Sequence, residues 1–261
     1  MPTALVTGAS AGIGAAFVRR LTAYRFNLVL VARDADRLAQ VAGEASARGV
    51  EAETLPADLV TDEGCAAVEA RLTDAGRPID MLVNSAGIGL RTAFVRSTLA
   101  DEERMLRLNV GAILRLTHAV LPKMVERGRG DIINLSSVAG FGPTSPGGTY
   151  SATKAWVTNF SESLHIAHAK DGVRVLALCP GFVHTEWHQR AGIDTDQINK
   201  HLWLDADDVA RTGLADLRKG HSVSVPSARF KVLSGLIKHV PRPVFNRVIG
   251  GNTRGLTRRS E

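Results

Sequence analysis

The chain has 261 residues, 44% of them hydrophobic, which is enough for one substantial core, and no apolar run approaches the roughly 18 residues that a membrane-spanning helix needs. A formal charge of +6 admits nucleic acid or acidic surfaces as partners, yet much of the excess lies late, between Arg218 and Arg259, where a solvated face is the preferred reading over a membrane-surface contact or an anionic thioester substrate, and no nucleic acid is expected. Cys65 and Cys179 are the only cysteines and lack CxxC spacing, which excludes a disulfide framework and points to a reduced, cytoplasmic setting.

Taken in chain order, short apolar runs alternate with longer helical patterns. The first strand, Thr3–Thr7, begins almost at the N-terminus, leaving no room for a signal peptide ahead of it. A helix over Gly14–Ala23 follows, then strand Asn27–Ala32 and helix Ala35–Ala47, which stops before Gly49, a C-cap. Strand Val50–Leu55, helix Thr61–Ala75 and strand Met81–Asn84 come next. Thr98–Val125 is too long for an ordinary helix; it reads as one long helix with Pro122 near its end, or as two meeting near Gly111. Strand Asp131–Ser136, helix Gly148–Ala169, strand Val173–Leu178, helix Asp205–Arg218, strand Ser222–Val225 and a short basic helix Ser227–His239 complete the order. Such alternation predicts an α/β fold, a Rossmann-type doubly wound parallel sheet of about seven strands with helices on both faces, in a single domain spanning 1–261.

Two features carry chemistry. Gly8, Gly12 and Gly14 lie between the first strand and the first helix, where glycines allow a tight turn and the helix N-terminus offers unpaired amides to a pyrophosphate. The spacing is G-x-x-x-G-x-G, so position in a strand–turn–helix unit, and not glycine alone, suggests a dinucleotide. At the end of the second strand Ala32 leaves the usual ribose-binding acid absent and Arg33 follows, a guanidinium suited to a 2′-phosphate; NADP is therefore expected over NAD. Asp34 and Asp36 read as helix-cap carboxylates. The second feature is Tyr150 and Lys154, four apart on one helix face, so that the ammonium favours the ionised phenol. Ser137, upstream, is in position to hold a substrate oxygen.

The same residues resemble the short-chain dehydrogenase/reductase family, in its compact single-domain branch, from the N-terminus to about Val225. Thr7-Gly8-x-x-x-Gly12-x-Gly14 is similar to its cofactor turn, with Ser10 and Ile13 inside it. Asp58-Leu59 resembles the acid that meets adenine, and Asn84-Ser85-Ala86-Gly87 its Asn-Asn-Ala-Gly element, Ser85 departing from the pattern. Pro180-Gly181 with Thr185 resembles the loop around nicotinamide. The resemblance implies a catalytic set of Ser137, Tyr150, Lys154 and Asn109: Tyr150 as acid/base, Ser137 steadying the oxygen, Lys154 binding ribose and lowering the phenol pKa, and Asn109 holding a water. Ser136 is the competitor for the role of Ser137. The implied activity is hydride transfer between NADPH and a carbonyl or alcohol, a ketone or a 3-oxoacyl compound, in a homo-oligomer (dimer or tetramer) assembled through the helices around Leu99–Val125 and Tyr150–Ala169.

Alternatives stay open. Asp58 can be a cap for the next helix. His184, Glu186, His188 and His201 admit a metal, but the stretch, about 182–204, reads better as a substrate loop with Trp187 and Trp203 as walls, and no metal is expected. Cys179 reads as a small buried residue. A non-catalytic NADP sensor, or a dehydrogenase associating with a membrane surface through the basic segment of about 227–261, are the competing functions.

Overall fold

The structure is a computed structural model, and it describes residues 1–90, 92–143, 148–186 and 202–239. Its centre is a seven-stranded, wholly parallel sheet. The strands are β1 (Thr3–Thr7), β2 (Asn27–Ala32), β3 (Ala52–Pro56), β4 (Met81–Asn84), β5 (Gly130–Leu135), β6 (Val173–Leu178) and β9 (Val223–Ser224), arranged β3-β2-β1-β4-β5-β6-β9. A separate parallel pair, β7 (Phe182–Val183) and β8 (Trp203–Leu204), stands beyond β6.

Period-two alternation sorts each strand's side chains between two helical layers. Ala4, Val6, Leu28 and Leu30 join Phe17 and Leu21 of α1 (Gly12–Ala23), Leu38 of α2 (Ala35–Ser46), and Val209 and Leu214 of α7 (Ala206–Arg218). On the opposite face Leu5, Val29 and Val31 meet Val68 and Leu72 of α3 (Asp62–Thr73) and Leu116, Val120 and Met124 of α5 (Ile113–Glu126). Both faces of the central strands are buried, so those strands read as continuous apolar runs.

Several boundaries move. The third strand starts at Ala52 and runs to Pro56, not Val50–Leu55; β3 is a sheet edge, where a proline without an N–H is tolerated. The fifth starts and ends one residue earlier than expected, and the last keeps only Val223 and Ser224. The long helical stretch becomes α4 (Leu99–Leu106), a π-helical segment over Arg107–Ala112 and α5, with helical backbone angles at both joins. It is neither one regular helix nor two separated ones. Pro122 lies inside α5, and Gly111 inside the π segment. Then α6 spans Gly148–His168 and α8 spans Ala228–His239. Among the described residues no helix is long and apolar enough to cross a membrane.

Strand order reverses between β1 and β4: from β1 the chain proceeds outward to β2 and β3, then returns to β4 on the other side. A crevice opens at such a reversal beyond the carboxyl ends of the strands, and ligands of open α/β sheets bind there.

Candidate active site

The glycine turn leaves β1 directly at that reversal. Gly8 and Gly12 have φ of +66° and +55°, a conformation that favours glycine. A Cβ on Gly14 would lie 2.1 Å from the carbonyl oxygen of Gly8, so the turn closes on itself only without side chains. The helix it feeds has Ala11 at its N-cap, no side-chain cap and no acid in its first turn. Its first amides and its positive dipole end therefore face outward with no side-chain acceptor of their own. Ser10 and Ile13 are half-buried in the same turn, Ile13 against the core.

Thr7 locks this turn to the loop after β4. Its hydroxyl accepts from the amides of Ser85 (3.0 Å) and Ala86 (3.1 Å), and a Cβ on Gly8 would lie 3.1 Å from the Ala86 backbone. Asn84 is buried, and its amide donates to Asn134 (2.9 Å) and Thr117 (3.3 Å), pinning β4 to β5 and α5. Its side chain is thus engaged within the fold. Asp58 does not cap α3: that role belongs to Thr61, which accepts from Gly64 N, while the Asp58 carboxylate accepts from Val60 N at 3.1 Å. Leu59 is buried in the core beneath α3.

At the end of β2, Asp34 is spent as the α2 cap, accepting from Arg37 N at 3.0 Å. Arg33 is exposed and forms no ion pair among the described residues. Arg37 reaches instead across the molecule to Glu186 in a two-pronged pair of 2.9 and 2.6 Å. The far wall includes Thr185, whose methyl group would be 3.1 Å from a Cβ on Gly12. The glycine turn and the segment after Pro180-Gly181 are therefore neighbours.

The catalytic candidates gather at the same sheet edge. Ser137 caps a 3-10 turn, Val138–Phe141, with its Oγ accepting from Ala139 N at 3.1 Å, and its side chain lies near enough to the Tyr150 hydroxyl to favour the ionised phenol. Ser136 takes a different place: buried, it donates to the Lys154 carbonyl (2.7 Å) and bonds Thr158 (2.7 Å), which fixes β5 to α6. A Cβ on Gly140 would lie 2.7 Å from the Lys154 carbonyl carbon, so this glycine lets the Ser137 turn press on the helix bearing Tyr150 and Lys154. Lys154 Nζ donates to Leu135 O at 2.8 Å and sits 5.8 Å from the Tyr150 ring centroid. Gly87 opens beside it, where a Cβ would be 3.2 Å from Asn109 Oδ1 and 3.6 Å from Lys154 Nζ. Asn109, fully buried in the π segment, accepts from Ile88 N (2.9 Å) and donates to Ile88 O (2.8 Å) and Thr153 (3.3 Å). Its side chain tethers the loop after β4 to α6. Widened turns of this kind recur at functional sites.

Electrostatics depart from expectation at one point. Burial pushes the Tyr150 phenol up to about 12, against the opposing influence of the Ser137 side chain, and burial pushes Lys154 down to about 8. In the chain by itself desolvation outweighs the expected lowering of the phenol by the ammonium, which is held by the Leu135 carbonyl. Cys179, fully buried below Lys154, has its thiol raised to about 11, chiefly by burial, and is inert as a nucleophile.

Beyond β6, His184 stacks on Trp203 at 4.6 Å, and Phe182 lies 5.9 Å from Trp203. Among the described residues no group of three or more His, Cys, Asp or Glu is placed to hold a metal ion; His188 and His201, with Trp187, lie outside them. Sequence reasoning passed over Gly140, Thr153 and the role of Thr7 as a bridge. None has a local signature, since each acts through a contact with a distant segment.

Residues 2–196 match the short chain dehydrogenase family. The chain belongs to that family. It is accordingly an oxidoreductase fold acting between CH–OH and C=O groups. An uncharacterized oxidoreductase of Staphylococcus saprophyticus is 35% identical over 223 residues, which is 85% of this chain and 93% of the relative. A short-chain dehydrogenase from Sphingobium yanoikuyae in complex with NADPH superposes with a TM-score of 0.83 at 37% identity, covering 93% of this chain and 97% of that one. The bulky-bulky ketone specific alcohol dehydrogenase from Comamonas testosteroni gives 0.79 at 31% identity, covering 93% and 96%.

Proposed function

We propose that this member of the family is an NADPH-linked carbonyl reductase in which Tyr150 is the proton donor. The observation that carries the reading is the meeting, at one sheet edge beside the glycine turn, of the Tyr150 hydroxyl and the Ser137 side chain with a buried Lys154 amine. The residues present fit a dinucleotide: the turn at Gly8, Gly12 and Gly14 admits no side chain, α1 starts without a side-chain acceptor, and Arg33 is exposed with no ion pair among the described residues. Gly8, Ser10, Gly12, Ile13 and Gly14 would hold the pyrophosphate, Arg33 the 2′-phosphate, Asp58 and Leu59 the adenine side, and Asn84, Ala86, Gly87, Pro180, Gly181 and Thr185 the rest. When bound, the cofactor supplies the hydride.

The chain's own part is the proton and the developing charge. Reduction leaves negative charge on the substrate oxygen, so the Ser137 and Tyr150 hydroxyls stabilise the transition state more than the ground state. A phenol raised to about 12 is protonated throughout the neutral range, so it is ready to give its proton, which favours reduction near pH 7. The reverse oxidation needs phenolate, whose fraction rises about tenfold per pH unit below that pKa. Alcohol oxidation should therefore climb towards alkaline pH while carbonyl reduction does not; a pair of pH–rate profiles that rise and fall together counts against the assignment.

The aromatic wall of Phe182, His184 and Trp203 supports a mostly apolar carbonyl substrate, with the stretch of about 182–204 as its loop. The bulky-bulky ketone specific alcohol dehydrogenase has the same architecture. Exposed Leu99, Leu106, Leu114 and Ile166 on the outer faces of α4 to α6 support assembly of the chain with copies of itself. The test is NADPH oxidation, followed by fluorescence, over ketones, aldehydes and acyl thioesters. Tyr150→Phe should lower kcat by about 1000-fold and leave NADPH affinity within a few-fold; substantial residual turnover would remove Tyr150 from the chemistry.

A further inference from the structure

We propose that Phe230, on the C-terminal helix α8, is a positioning residue of the active site: its ring sets the Pro180-Gly181 loop, and through it Thr185, against the glycine turn. The proposal rests on the reductase reading. Phe230 lies beyond the matched residues 2–196.

A Cβ on Gly181 would be 2.1, 2.2 and 2.5 Å from the Phe230 ring atoms Cζ, Cε2 and Cε1. The backbone at Gly181 is not in the left-handed region, so nothing in its conformation asks for glycine. The ring alone does. Phe230 is 3% exposed and packs in a cluster with Ala177, Cys179 and Val225, against which Val138 and Phe141 also pack. Those two belong to the turn capped by Ser137, and Val138 N donates to Pro180 O at 3.0 Å. One apolar cluster, with one ring pressed on a backbone, thus holds both the Ser137 turn and the Pro180-Gly181 loop. Phe182, 6.4 Å from Phe230, continues the contact towards Thr185.

An ordinary core phenylalanine would affect stability only. A ring that sets a loop must affect cofactor affinity and rate, because displacements of about 1 Å cost about 100-fold in catalysis. The full-length chain carries the test, with NADPH affinity, kcat/KM for a ketone found in the screen above, and melting temperature as readouts. Gly181→Ala inserts a methyl group into the ring's place and should lower kcat/KM by about 100-fold and weaken NADPH binding. Adding Phe230→Ala should recover about tenfold or more of the loss, the mark of two groups in contact. A double variant no better than Gly181→Ala, or a Gly181→Ala enzyme at wild-type level, overturns the proposal. If Gly181→Ala does not fold, Phe230→Leu decides: lower NADPH affinity and kcat/KM at an unchanged melting temperature support the role, and unchanged values overturn it. Should Tyr150→Phe remain active, the reductase reading falls, while the comparison of NADPH affinities still judges the loop contact.

Discussion

Among the described residues, four helices begin on a side chain that satisfies their first amides, and α1 does not. Asp34, Thr61, Thr98 and Asp205 cap α2, α3, α4 and α7, and each of those helices carries acids in its first turn. Helix α1 starts at Ala11 with neither. A side-chain cap contributes about 1 kcal/mol, so leaving one off costs stability. The omission keeps donors and a positive dipole end free for an anionic ligand at the reversal of strand order. The contrast teaches that stability and binding compete for the same few amides, and that the fold settles the competition differently at its two kinds of helix start.

Four changes break or sharpen this contrast. The largest effect is expected from Gly14→Ala, whose methyl group meets the Gly8 carbonyl; NADPH binding should fall below detection by titration, with a lower melting temperature. Ala11→Asp supplies α1 with the missing cap. It should raise the melting temperature and yet weaken NADPH binding by about tenfold or more, since the carboxylate takes the amides and repels phosphate; a stabilised variant with intact affinity would show the bare start to be irrelevant. Arg33→Asp leaves the helix start alone and should move the NADPH-to-NADH preference by about tenfold, measured as a ratio of kcat/KM values; an unmoved ratio removes Arg33 from the 2′-phosphate. Smallest, Thr98→Ala at a purely structural start should cost about 1 kcal/mol in denaturant unfolding and leave NADPH affinity unchanged.

What could be read from the sequence follows the range of the forces involved. Strands β1, β2, β4 and β6 were legible to the residue, because each is an apolar run closed by a sharp turn. The glycine turn and the Tyr150-Lys154 spacing are local patterns and were equally visible. Strands β7 and β8, of two residues each, are too short to show a period and form only because residues 182 and 203 are brought together. The direction of the Tyr150 shift was misjudged because spacing reports a neighbouring charge but not burial. Phe230 sits in an unremarkable basic helix, and only its approach to Gly181 gives it meaning.

The π segment sets a phase as well as a contact. Counting along the inward stripe, Met105, Asn109, Ile113, Leu116, Val120 and Met124 are all buried, and the five steps take 19 residues (124 − 105). A regular helix would use about 18. Residues beyond the seam are therefore rotated by about 100° relative to an uninterrupted helix, and both halves point inward only because the surplus residue is absorbed there. Deleting one residue between 107 and 112 would leave about the number that a regular helix uses, so Leu116, Val120 and Met124 would still face the core while the widened turn around Asn109 would close. The buried asparagine is thus held in place by a mismatch of periods that neither half of the helix can relax alone.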